Sequence, residues 1–204
     1  MKTNTDKNFS VSIKAKIIGT GTYGQLENQS ISSEAEKKII VGSKLQAAGK
    51  TFYYSGPFKN SGLVPPKVGK DTTYTLVWSL AGNSNDLSGV GVSAFLPPYV
   101  KFLNTISPAG EDIKFDDKNS SIVWNVGNLP AGTGIITPAR EAAIKVSFSP
   151  NVTQVKTSPL LASPAVVTAK DEFSNSDLNL EIPALTSALD GDPQFKGIDD
   201  GVQE

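Results

Sequence analysis

Residues 71–80 read DTTYTLVWSL and residues 121–129 read SIVWNVGNL. In the first segment Tyr74, Leu76, Trp78 and Leu80 fall on one side of an extended chain, with Thr73, Thr75, Val77 and Ser79 on the other. In the second, Ile122, Trp124 and Val126 repeat the alternation. Side chains alternate faces in a strand, so each segment has one face that needs cover and one that tolerates water. Between them lie LSGVGVSAF at 87–95, the pair Pro97 and Pro98, and an acidic turn of Asp116, Asp117, Lys118 and Asn119. Two Trp-bearing strands separated by turn signals predict a half-buried antiparallel sheet packed on a second sheet. The expected class is all-β, a β-sandwich.

Working outward, Ala142, Ile144, Val146 and Phe148 alternate with Ala143, Lys145 and Ser147, and PAVVTAK (164–170) and LNLEIPAL (178–185) supply two closing strands. Pro159, Pro164 and Pro183 sit where edge or bulge positions accept them. Upstream, KLQAAGKTFYYS (44–55) reads as the first strand of the main domain. The connector GPFKNSGLVPPKVGK (56–70) holds Pro65 and Pro66, which a central strand excludes. The cleanest amphipathic strand is at the start, where Phe9, Val11, Ile13, Ala15 and Ile17 alternate with Ser10, Ser12, Lys14 and Lys16. After GTGTYG and a polar stretch, Ile39, Ile40 and Val41 end at Gly42. These β-branched residues favour a strand over the helix that Ser33 and Glu36 would cap.

The strand around Ile13, NFSVSIKAKI, resembles REAAIKVSF around Ile144 in alternation and in its Ile-Lys step, at an offset of 131 residues. A separation of this order fits one domain with insertions. Residues 1–43 are therefore expected to be the closing strands of a preceding repeat, incomplete here, and residues 44–189 a sandwich of seven to nine strands. Residues 190–204 are expected to be an acidic Gly-rich linker or tail. The alternative is an N-terminal hairpin built into one nine- or ten-stranded domain.

Hydrophobic residues make up 38% of the 204, enough for a packed core, while charged residues are only 19%. Ser, Thr and Asn fill the polar positions, as on many extracellular β-proteins. Net charge is −1, and Arg140 is the single arginine among 19 basic residues. Nucleic-acid recognition leans on Arg forks, so no nucleic-acid partner is expected. Without Cys or His, thiol nucleophiles, Ser-His-Asp triads and the usual zinc and haem sites are excluded. MKTNTDKNFSVS has no apolar signal core and no run approaches a membrane span. No membrane segment is expected in the chain. If it is exported, its targeting and anchoring segments are expected outside it.

Several motifs invite chemistry. Gly19, Gly21 and Gly24 match G-x-G-x-x-G after a strand, but Lys14 and Lys16 put one face of that strand in water, unlike a Rossmann first strand. A glycine-rich turn is the better reading, and no cofactor is expected. The acid pairs Glu111 with Asp112, Asp116 with Asp117, and Asp199 with Asp200 are neighbours in turns, whereas a glycosidase needs carboxylates facing each other across a cleft. Asp190, Asp192, Asp199 and Asp200 supply oxygens for calcium, yet their spacing fails the EF-hand pattern, and no metal site is assigned. Trp78 and Trp124 lie on the apolar faces of their strands, so core prevails over sugar stacking. Phe52, Tyr53 and Tyr54 are consecutive, so at least one ring falls on each face and an exposed one is the candidate contact.

TTYTLVWSL, then SNDLSGVGVSAFLPPYVKFL, IVWNVGNLPAG and AAIKVSF together resemble the conserved-repeat, Ig-like domains of prokaryotic surface proteins (domain-of-unknown-function eleven type) over about residues 65–150. Pro97-Pro98-Tyr99 and the long loop GTGIITPAR (132–140) depart from the common pattern. The resemblance implies an Ig-like antiparallel sandwich with Greek-key connections. It further implies a non-enzymatic spacer or adhesin-like display module at the bacterial cell surface, with neighbouring repeats of the same chain as partners. The alternative is a module binding surface glycan or protein through exposed aromatics or end loops such as GTGIITPAR and GPFKNSGLVPPK.

Overall fold

The computed structural model of the chain describes residues 7–23, 26–197 and 201–204. The strands are β1 (Ser10–Tyr23), β2 (Leu26–Ile40), β3 (Gln46–Phe52), β4 (Thr72–Ala81), β5 (Leu87–Phe95), β6 (Val100–Ser107) and β7 (Asp112–Asp116). They continue with β8 (Ser121–Leu129), β9 (Arg140–Phe148), β10 (Leu160–Ala162), β11 (Ala165–Asp171), β12 (Asp177–Ile182) and β13 (Leu185–Thr186). A single 3-10 turn, Val152–Gln154, is the only helical element among the described residues.

Two antiparallel sheets pack face to face. One runs β3-β4-β9-β6, the other β12-β11-β5-β8-β7, and the short β10-β13 pair lies alongside. The first order matches the A-B-E-D sheet of an Ig-like domain and β12-β11-β5 the G-F-C sheet. The β7–β8 hairpin is an addition that extends the second sheet beside β5. The second Trp strand, β8, is therefore outside the basic Ig set, although its indole is central to the core.

The expected alternation places the core. Tyr74, Leu76, Trp78 and Leu80 of β4 and Ile144, Val146 and Phe148 of β9 are buried, and they meet Ile122 and Trp124 of β8, Val90 and Val92 of β5, and Val167 of β11. Burying one Trp removes roughly 150–250 Å² from water, an upper bound of about 4–6 kcal/mol each.

β1 and β2 stand apart as an antiparallel ribbon pairing only with each other, from Ser10↔Ile40 to Tyr23↔Leu26. β2 begins much earlier than the Ile39–Val41 run suggested, taking in the polar stretch before it. Periodicity was no guide there, because cross-strand pairing with β1 sets that segment, including ion pairs of Lys16 with Glu34 at 3.0 Å and Lys14 with Glu36 at 3.6 Å. The likeness of β1 to the Ile144 strand does not extend to their settings. β9 lies inside a sheet between β4 and β6, whereas β1 belongs to a hairpin.

Residues 190–204, expected as a linker or tail, are docked on the sandwich where described. Asp192 and Val202 are buried. Val202 N–H donates to Thr157 O at 2.9 Å, and Gln203 N–H donates to Pro66 O at 2.8 Å. Composition concealed this, because the acidic residue that reads as solvated is spent on backbone donors.

Candidate functional site

The polar groups that stand out are two carboxylates at opposite ends of β3. At the end where the ribbon joins, Asp171 closes β11. Its Oδ2 accepts the N–H of Ser43 at 2.6 Å and the Asn85 side-chain amide at 2.9 Å, and its Oδ1 accepts the N–H groups of Phe173 and Ser174. Asn85 also donates to Val41 O at 3.1 Å, and its own N–H donates to the Ser43 hydroxyl. The segment entering from the ribbon is thus tied to β11 and to the β4–β5 connection. Burial pushes the Asp171 carboxyl up, but the Ser174, Asn85 and Ser43 donors outweigh it and hold it well below the carboxylate range.

At the other end, Asp192 does the same work. Its Oδ2 accepts from the successive N–H groups of Tyr53, Tyr54 and Ser55 at 2.8, 2.7 and 3.2 Å, and its Oδ1 accepts the Ser55 hydroxyl and the Gln194 N–H. β3 ends at Phe52, so these N–H groups lie past its ladder, and a side chain supplies the acceptor. Burial raises the carboxyl's pKa, but hydrogen bonds led by Ser55 and Tyr53 win and lower it. A carboxylate committed to five donors is a poor calcium ligand. Asp190 is exposed, and Asp199 and Asp200 lie outside the described residues.

Glu111, expected in a solvated turn with Asp112, is instead tucked in. Its side chain is 5% exposed, accepts Trp124 Nε1–H at 2.8 Å and pairs with Arg140 at 2.8 Å. Asp112 is exposed on β7 and accepts from Asn125. Asp116 accepts the N–H of Lys118 in its turn. Glu111 and Asp112 therefore have separate partners, and Asp116 serves its own turn. Gly19 and Gly21 are strand residues of β1, and Gly24 lies outside the described residues.

Trp78 and Trp124 are core, as their spacing indicated. Of the three aromatics, Tyr53 leans on the core and its hydroxyl donates to Gly62 O at 2.7 Å. Burial, helped by neighbouring Tyr54, pushes its phenol pKa up. Tyr54 is 49% exposed, edge-on to Tyr53 and stacked with Phe195 at 6.3 Å. The connector after it is tied down by Asn60, whose amide donates to Phe52 O, Tyr53 O and Thr75 Oγ1. The loop Gly132 to Arg140 curls on Gly132 O, which accepts from Ile135 and Ile136, and leaves both isoleucines exposed.

A groove of about 630 Å³ opens on the outer face of the β3-β4-β9-β6 sheet, floored by Ala48, Val77 and Ala143 and edged by Phe52, Pro108 and Arg140. Its floor is small and apolar. Its charged lining residues are Lys50, Glu111, Arg140 and Glu141, of which Arg140 is paired with Glu111.

No family model matches the chain, and no curated protein matches it. Among solved structures it is similar to a variant of BcpA, the major pilin subunit of Bacillus cereus, at 8% identity and a TM-score of 0.46, covering 87% of this chain and 64% of that one. It is also similar to the major pilin SpaD of Corynebacterium diphtheriae at 8% identity and 0.41, covering 80% and 52%. A third likeness is to a GH20 exo-β-N-acetylglucosaminidase of Vibrio harveyi at 8% identity and 0.36, covering 72% of this chain and 18% of that. The chain thus spans less than two thirds of each. Likenesses of this degree carry neither residues nor activities across. No described helix is long and apolar enough to cross a membrane.

Proposed function

We propose that the chain is a non-enzymatic structural module of a bacterial cell-surface repeat protein, a spacer or adhesin-like stalk in which domains stand in series. The observation that carries this reading is the placement of the two clamps. The chain passes into the sandwich beside Asp171 and its last described residues lie beyond Asp192, at the other end of a seven-residue strand about 23 Å long. A domain entered at one end and left at the other adds its length to a stalk. The carboxylates fasten the chain where it enters the first strand of the sandwich, at Ser43, and where it leaves that strand, at Tyr53 to Ser55. The polar, weakly charged surface suits an extracellular setting, with neighbouring repeats as the partners.

Antibody labelling of intact source cells tests the reading: surface label before lysis supports it, and label seen only after lysis removes it. Tyr54 favours a second reading, a module that contacts glycan or protein through its exposed ring beside Phe195. Glycan-array binding that Tyr54→Ala abolishes would support that reading over a bare spacer.

A further inference from the structure

The ribbon carries an apolar face with nothing on it. Cross-strand partners share a face, so Phe9, Val11, Ile13, Ala15 and Ile17 line up with Val41, Ile39, Ala35 and Ile31 on one side, interrupted by Lys37 opposite Ile13 and Ser33 opposite Ile17. Ile17 and Ile31 are 74% and 75% exposed, and the other large side chains of this face about half. The opposite face is more polar, carrying the ion pairs of Lys14 and Lys16 between Ile40 at one end and Ile18 at the other. Isolated two-stranded hairpins are marginal in water, so a ribbon of this length and pattern calls for a cover.

Its counterpart lies in the sandwich itself. The pairs Val11↔Ile39, Ile13↔Lys37 and Ala15↔Ala35 run in the order of Ala165↔Ile182, Val167↔Leu180 and Ala169↔Leu178 in the β11–β12 hairpin. Ala15-Lys16 answers to Ala169-Lys170. After each hairpin comes the same spacing, Val41-x-Ser43-x-Leu45 and Leu185-x-Ser187-x-Leu189, with both leucines buried. In β11–β12 the corresponding face is sealed against the other sheet, and β11 pairs with β5 on its free side. In the ribbon the face is open, and β1 pairs with β2 alone.

We propose that the ribbon is the closing hairpin of a second sandwich, and that its occupant is a domain built like residues 44–189 but lacking its own closing hairpin. Building on the serial-module reading, this names the partner and the register. Ser12, Ile13 and Lys14 take an incoming strand as Val166, Val167 and Thr168 take Ser93, Val92 and Gly91 of β5. Seven large apolar side chains at roughly 60–120 Å² each give about 400–800 Å² for the occupant to cover, close to the ~800 Å² per partner of a stable interface. The face runs on into a cleft where Phe9 meets the exposed Ile135 and Ile136, so the same occupant abuts the Gly132 to Arg140 loop.

The test places a second copy of residues 44–162 directly ahead of Phe9 of the chain, which preserves the register. Amide hydrogens of residues 10–17 then exchange at least ~100-fold more slowly than in the chain itself, and a second cooperative transition appears. Ile13→Glu with Ile17→Glu removes that transition and leaves the Tm of the original sandwich unchanged. Unchanged exchange over a folded downstream sandwich overturns the proposal. So does ultracentrifugation showing that the chain by itself dimerises and that the same two substitutions abolish the dimer, which makes a second copy the occupant. Failure of these tests leaves the cell-labelling result untouched, so the two readings fall separately.

Discussion

The Trp124 indole N–H donates to Glu111 Oε2 at 2.8 Å, so the most buried aromatic of the second sheet is fixed by an acid from the turn that precedes β7. Glu111→Ala leaves that N–H without its acceptor, at a cost of about 1–3 kcal/mol. Arg140 is half exposed and its pairing adds little. Glu111→Gln keeps an oxygen in place and is expected to cost under ~1 kcal/mol. Urea unfolding of the two variants checks the difference, and equal losses would make the charge rather than the acceptor the important part.

Trp78→Ala and Trp124→Ala are each expected to cost about 3–5 kcal/mol, with blue-shifted emission in the parent chain. Their burial was legible from period-two spacing alone, as was the burial of Tyr74, Leu76 and Ile144. What was not legible is instructive. Glu111 and Asp192 read as solvated acids because local sequence shows neither the indole 13 residues away nor the three N–H groups 137–139 residues away that use them. The polar half of β2 has no apolar alternation, and only its pairing with β1 makes it a strand. Composition reports what water prefers, whereas Glu111 is placed by an indole N–H and Asp192 by backbone N–H groups that only the tertiary fold supplies.

Gly49 sits opposite Trp78 in the β3–β4 pair, where a Cβ would lie 2.9 Å from Ile182 Cγ2 and 3.0 Å from Leu185 Cδ2. Its backbone is not left-handed, so space between the sheets is the whole constraint. Gly49→Ala is expected to destabilise by about 1–3 kcal/mol through overpacking, and Gly49→Val by more. Thermal unfolding of the pair gives the order.

Both clamp carboxylates have native pKa values below the unfolded value of about 3.9. For an acid depressed in the native state, the unfolded chain binds more protons as pH falls, so the contribution is complete above about pH 5 and drains away below it. Stability should be flat from pH 5 to 8 and fall steeply in acid. Asp171→Asn lowers the plateau and flattens part of the acid limb. Urea midpoints at pH 3 and pH 7 for parent and variant measure both effects, and parallel curves would remove Asp171 as the cause.

The two ends of the chain should respond oppositely to deletion. Removing residues 1–40 strips the exposed ribbon and a few contacts at its base, Lys7 with Asp86 and the Asn8 N–H with Asn85. Those contacts lie near the surface and are worth about 1 kcal/mol together, so the sandwich keeps its cooperative transition. Removing residues 191–204 takes away the acceptor for the Tyr53, Tyr54 and Ser55 N–H groups and uncovers the site Val202 fills. One buried Val contributes roughly 1.5–3 kcal/mol, and a charge-assisted hydrogen bond about 1.5–3 more. The C-terminal truncation should therefore lose at least ~3 kcal/mol, and Asp192→Asn in the full chain should by itself reproduce part of that loss. A C-terminal truncation as stable as the parent would restore residues 190–204 to the role of a linker, and a collapse of the sandwich on losing residues 1–40 would make the ribbon part of one larger domain.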